Sequence, residues 1–170
     1  MDLARTYEEH VSRVYGFFAY RLPGPADAED LTAATFERAV RHADRYDARR
    51  ASVATWLLAI AQNVLVDHYR RSGRRPEELR DGGDFDALPE PGDEDRRRVH
   101  GLEPELERAL EALSDRERLV IALRFGGDLK GSEIAAITEL SEANVHQILS
   151  RSLRQLRRSL PEPAPRVNRR

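Results

Sequence analysis

Asn144, Gln147 and Arg151 recur at helical intervals of three and four residues in the stretch GSEIAAITELSEANVHQILSRSLRQLRR, Gly131 to Arg158. Side chains of these types on one helix face suit the reading of DNA bases. An Asn or Gln amide pairs with the edge of adenine, and a guanidinium forks onto guanine. Ala143 shares that face, with His146 and Ser150 beside it. Arg154, Arg157 and Arg158 follow at the back, placed to hold phosphates, which position a helix without specifying sequence. Val145, Ile148 and Leu149 point inwards. Ile134, Ala135, Ile137 and Leu140 pattern a preceding helix, so the pair reads as a helix-turn-helix with its corner at 138–140. An ordinary helical hairpin has the same apolar pattern. Glu139 occupies the corner, where such turns often carry glycine; a positive φ there costs on the order of 1 kcal/mol.

No other constellation suggests chemistry. The chain has no cysteine, which excludes disulfides, thiolate metal sites and cysteine catalysis. His10, His42, His68, His100 and His146 are scattered without metal-ligand spacing, and no glycine-rich phosphate loop is present. No catalytic residue, metal site or cofactor is expected. No apolar run approaches the ~18 residues of a membrane span, and the start, MDLARTYEEH, has no apolar core like that of a signal peptide. A cytoplasmic protein without membrane insertion is the expectation.

The net charge of −2 at first argues against nucleic acid, but its distribution matters more. Residues 77–95 hold nine acids against one base, Arg80, while both flanking parts are slightly basic. This acidic stretch, rich in Gly and Pro, reads as a flexible linker. It divides the chain into units 1–72 and 103–160, joined by 73–102 and followed by a proline-rich, disordered tail, 161–170.

The elements that must position the candidate residues are helices. Val11, Val14, Tyr15, Phe18 and Leu22 fall at helical spacing. LPGPAD ends that helix. A second runs over about 27–45, with Asp27, Glu29 and Asp30 where a helix dipole favours acids. A third, TWLLAIAQNVLVDHYRR, comes after a loop with Ser52 as N-cap, and Trp56 belongs to its apolar face. In the second unit Ser114 to Glu117 forms a capping box. Leu119, Val120, Leu123 and Phe125 make a buried face, and Ser141 caps a long helix from Glu142. Nothing alternates with period two for long, so the fold class is all-α, as two small helical domains.

Three stretches in order carry a family resemblance: PADAEDLTAATFERAVRHADRYD, TWLLAIAQNVLVDHYRR and LSDRERLVIALRFGGDLKGSEIAAITELSEANVHQILSRSLRQLRR. They resemble a bacterial RNA polymerase sigma factor of the sigma-70 family, in the extracytoplasmic-function (ECF) group. The resemblance implies a domain 2, a three-helix bundle that binds core polymerase at its β′ clamp helices and opens the −10 promoter element. It implies a domain 4 that binds the β flap and reads the −35 element. Asp27, Glu29, Asp30, Leu31 and Thr35 match the polymerase-binding face. Tyr46, Arg49, Arg50 and Ser52 lie in the loop resembling the one that holds a flipped −10 base, and Asn63, His68, Arg70 and Arg71 line the helix that tracks that DNA. A cognate anti-sigma factor is implied as a further partner. His146 and Gln147 replace the basic residues common early in the recognition helix, and Lys130–Gly131 replaces the usual capping pair before SEIAA. A stand-alone helix-turn-helix regulator leaves the match at 27–71 unexplained, and a helical adaptor fits less well.

Overall fold

The computed structural model describes residues 2–73 and 102–160; the acidic stretch 77–95 and the tail 161–170 lie outside the described residues. Every regular element among them is helical. Helix α1 spans Leu3–Ala19, eight residues ahead of the expected Val11, because Asp2 caps it by accepting the Arg5 amide at 3.2 Å. Helix α2 spans Pro25–Arg41. It starts earlier than expected since proline suits the first helical position. It also stops earlier, because His42 leaves the helical region at φ −117°, and a 3-10 turn, Ala43–Arg45, comes next. Helix α3 spans Val53–Arg71 and is capped as expected by Ser52, which accepts the Thr55 amide at 3.1 Å.

Helix α4 spans Pro104–Glu111 and α5 spans Asp115–Ile121. The Ser114–Glu117 capping box is present in both directions, with amide contacts of 3.3 and 3.0 Å. Helix α5 runs on into a π turn, Ala122–Gly126, closed by the Gly127 amide on the Ala122 carbonyl at 2.9 Å. This wider turn rotates the residues beyond it about the helix axis. Val120 and Leu123 are buried as expected, Leu119 is half-buried, and Phe125 is turned outwards and 49% exposed. Helix α6 spans Gly131–Thr138 and α7 spans Glu142–Ser159. Glu139 joins them with φ 57°, in the left-handed region.

The two units do not stand apart. Val14, Phe17 and Phe18 of α1 and Leu57, Leu58 and Ala61 of α3 share one core with Val120, Leu123, Leu129, Ile134 and Val145 of the second unit. A second, smaller cluster, Ala109, Leu110, Leu113, Ile121 and Leu156, belongs to the second unit alone. At one point the units meet backbone on backbone. A Cβ added to Gly16 would stand 2.6 Å from the Gly126 carbonyl oxygen, and one added to Gly126 would stand 2.4 Å from that of Gly16. Both positions therefore admit only hydrogen. Arg21, with 1% of its side chain exposed, donates to the Asp115 carbonyl at 3.0 Å. The Tyr69 hydroxyl donates to the Arg21 carbonyl at 3.2 Å and ties in the end of α3.

Candidate nucleic-acid interface

Helix α7 is strongly amphipathic. Val145, Ser152 and Leu156 are buried, and Ile148, Leu149 and Leu153 are half-buried beneath it. Ser141 starts it by accepting the Asn144 amide at 3.2 Å. Ala143, Asn144, His146, Gln147, Ser150 and Arg151 are all exposed on the front, and Arg154, Arg157 and Arg158 are exposed behind. The His146 ring packs over Gly131, where a Cβ would come within 3.1 Å of it, so the absence of a side chain at 131 leaves room for the imidazole. Arg151 differs from its neighbours. Its Nε donates to Glu117 Oε1 at 2.9 Å, and Glu117 is only 10% exposed. One edge of the guanidinium is therefore fixed to the capping box of α5, while its terminal amino groups remain available to a base or phosphate. Burial works against the Glu117 charge, but hydrogen bonds from the Ser114 hydroxyl and amide and the Arg151 guanidinium outweigh it. They hold its carboxyl below the ordinary glutamate range.

The loop 46–54 is knit from within. The Tyr46 ring lies 5.2 Å from Trp56, and its hydroxyl donates to the Ala51 carbonyl at 3.2 Å. Trp56 is thus half-buried beside the loop, at the edge of the core. Arg49 is 91% exposed and grips Asp47 through Nε and a terminal amino group at 3.1 and 3.2 Å. Arg50 is exposed at the loop tip. Ser52 and Thr55 both donate to Glu133 Oε1, at 3.0 and 2.7 Å, so a carboxylate of the second unit sits on the end of this loop. Along α3, Asn63, Arg70 and Arg71 are exposed and His68 is half-buried with its ring against Tyr69. Asp67 gathers the cations here: Arg38 reaches it at 2.9 Å and Arg70 at 3.9 Å.

On α2, Asp27, Glu29 and Asp30 are exposed. Leu31 and Thr35 are not part of that surface: they are 6% and 0% exposed, and the Thr35 hydroxyl turns back onto the Leu31 carbonyl at 2.7 Å. They hold the acidic face from beneath, because position 31 falls on the core side of the helix with Ala28 and Ala39. Glu133, Thr55 and Asp67 were missed by sequence reasoning, as was the pairing of Glu117 with Arg151. Glu117 and Glu133 carried a local signal, each standing three residues after a helix N-cap, but their partners in other elements did not. Among the described residues no three acidic or histidine side chains converge as a metal site, and no helix is long and apolar enough to cross a membrane.

Residues 6–75 match the family described as Sigma-70 region 2, and residues 109–158 match Sigma-70, region 4. The chain is 30% identical over 164 residues to the ECF RNA polymerase sigma factor BldN of Streptomyces coelicolor, covering 94% of this chain and 61% of that protein. It is 35% identical over 153 residues to the ECF sigma factor SigE of Mycolicibacterium smegmatis, covering 88% and 58%. It therefore spans about three fifths of the length of these two relatives. With the ECF sigma factor SigF of Caulobacter vibrioides it shares 32% identity over 149 residues, covering 85% of this chain and 77% of that one. In fold it resembles the sigma factor RpoE of Bartonella quintana, solved with the anti-sigma factor NepR, at a TM-score of 0.70 and 20% identity over 99% of each chain. CnrH, solved with the cytosolic domain of CnrY, gives 0.63 at 24% identity over 92% of this chain and 85% of that one. The two region matches in order, with a 32% identical relative covered over 77% of its length, place the chain in the sigma-70 family of RNA polymerase sigma factors, in the ECF group.

Proposed function

We propose that this chain binds core RNA polymerase and directs it to promoters by recognising −35 and −10 elements and opening the latter. One observation carries the reading: both sigma regions occur in order on one chain, and the second presents the unobstructed front Ala143–Asn144–Gln147. The exposed carboxylates Asp27, Glu29 and Asp30 offer α2 to the β′ clamp helices, and the second unit meets the β flap. The chemistry of nucleotide addition belongs to the polymerase; this chain contributes binding and no catalytic group, and acts in the cytoplasm.

The folded geometry supports a dependence on polymerase. Loop 46–54 touches Glu133, and α6 and α7 together are at most ~40 Å long at 1.5 Å per residue. Two promoter elements some two DNA turns apart lie ~68 Å from each other. The closed chain is therefore too short to engage both, and the units must separate. A linker of about 30 residues reaches ~100 Å, ample for the span. Once apart, α7 enters the −35 major groove with Asn144, Gln147 and Arg151 towards base edges and Arg154, Arg157 and Arg158 on phosphates. Tyr46, Arg49, Arg50 and Ser52 surround a −10 base turned out of the stack. Asn63, His68, Arg70 and Arg71 track the strand. Extruding a base costs a few kcal/mol, so a preformed pocket makes the step sequence-selective.

An anti-sigma factor is the third partner in this reading; the support is that RpoE of Bartonella quintana was solved with one. Run-off transcription tests the whole. Core enzyme plus this chain should start at defined sites, and either component alone should not. Tight, specific promoter binding by the isolated chain at physiological salt would favour a stand-alone regulator instead.

A further inference from the structure

Among the polar contacts that join the two parts, one falls on the −10 loop. Glu133 Oε1 receives the hydroxyls of Thr55 at 2.7 Å and Ser52 at 3.0 Å. Neither unit needs this contact for its own fold. Ser52 already caps α3 through the Thr55 amide, and Glu133 already caps α6 with its other oxygen, which accepts the Lys130 amide at 3.0 Å. Oε1 is thus a spare acceptor, committed only between units. A negatively charged oxygen taking two hydroxyls is also what a strand phosphate offers to a DNA-binding loop.

We infer that Glu133 is a built-in latch on the −10 loop: its carboxylate holds Ser52 and Thr55 in the place of a strand phosphate, and the −10 strand binds only after α6 withdraws. This rests on the −10 assignment proposed above and adds Thr55 to the residues that receive the strand.

The surroundings fit a contact built to part. Gly16 and Gly126 appose backbones with no room for a side chain, so the units seat only in one register. Arg13 and Asp128 pair across the same junction at 3.0 Å, both partly exposed. A cavity of about 630 Å³ opens beside Glu133, with Arg13, Arg124 and Lys130 facing Asp128 and Glu133. Arg124, Asp128, Lys130 and Glu133 all belong to the second unit and leave together when it withdraws. The same motion uncovers the two hydroxyls and frees Arg13 of the first unit from Asp128, which leaves a cation beside them for a phosphate strand.

The full-length chain tests the latch in solution without polymerase. The readouts are affinity for a labelled single-stranded −10 oligonucleotide and the separation of dyes on Glu8→Cys and Ala112→Cys, in a chain with no native cysteine. Gly16→Ala lies outside the −10 loop and favours helix α1, but its Cβ meets the Gly126 backbone. It should drive the dyes apart and tighten −10 strand binding roughly tenfold, as the binding-competent fraction rises. Glu133→Gln removes the charge and leaves an oxygen for the Lys130 amide; it should tighten binding several-fold with helicity intact. Unchanged strand affinity in Glu133→Gln, or in a Gly16→Ala chain whose dyes have separated, overturns the latch. The −10 assignment is read separately, from the sequence preference of the wild-type chain on core enzyme. Preference there with no effect of the variants sinks the latch alone, whereas absence of preference sinks the assignment and the latch with it.

Discussion

The two surfaces proposed to meet DNA are kept in opposite states by the same fold. On the second unit, Ala143, Asn144, His146 and Gln147 face solvent, and the ion pair of Arg151 with Glu117 steadies the surface rather than hiding it. On the first unit the loop 46–54 ends under a carboxylate from the second, and the helices behind it share a core with that unit. In the proposed reading the −35 surface is thus open in the free chain and the −10 loop is held. The difference teaches that readiness is set by what lies opposite a surface. Both are built from well-capped helices, and only one meets the other unit.

The largest expected effect separates the shared core from the private one. Leu123 is fully buried where the units meet, and Leu110 lies in the second unit's own cluster. Either leucine changed to alanine should cost ~2–5 kcal/mol. Leu123→Ala should lower the unfolding midpoint seen by Trp56 fluorescence together with that seen by amide exchange in α7. Leu110→Ala should act first on α7. Identical behaviour of the two variants would break the distinction between shared and private packing.

Next come the residues proposed to read bases. Gln147→Ala or Arg151→Ala should cost roughly 1–3 kcal/mol at one or two −35 positions and relax preference there, in transcription from a −35 library. Arg157→Ala should weaken all promoters alike and reduce the salt slope of binding by about one. A reshaped profile for Arg157→Ala with an unchanged one for Gln147→Ala would reverse the assignment of front and back. Glu117→Gln sharpens the point, because it frees the Arg151 edge without touching the front and should blur readout only where Arg151 reaches.

A smaller effect is expected from pH. At Glu133 burial opposes the charge, but the Thr55 hydroxyl, the Lys130 amide, the Ser52 hydroxyl and the Lys130 charge outweigh it, so its carboxyl lies below the ordinary range, as does that of Glu117. A depressed folded value means that the contribution is fully present above the unfolded value of about 4.3 and is lost as pH falls through the folded one. Stability should therefore decline below about pH 4.3, and less steeply in Glu133→Gln. An equal decline in that variant would show that Glu133 is not linked. Smallest of all, Glu37→Ala removes an exposed pair with Arg41 on α2 and should change stability by less than ~0.5 kcal/mol.

The features legible in the sequence were those decided locally. The Ser52, Ser114 and Ser141 caps depend on three or four consecutive residues, and all three are present. Glu139 was legible as the corner residue, but whether the turn needed a positive φ was not; its φ is 57°. Phe125 was misplaced because periodicity assumes a uniform helix, and one π turn rotates everything beyond it. Leu31 and Thr35 were placed on the polymerase-binding face by the family resemblance, whereas helical geometry puts them beneath its acids. The Gly16–Gly126 apposition and the Glu133 contact could not be read at all: their partners are 110 and about 80 residues away, and nothing in a local pattern records them.

The distance between the units, free and on polymerase, tests the central claim most directly. Dyes on Glu8→Cys and Ala112→Cys should report one short separation in the free chain. Core RNA polymerase should lengthen it by tens of ångströms, and promoter DNA alone should not. A short separation that persists in a transcribing complex would contradict the account, as would a free chain whose units are already apart.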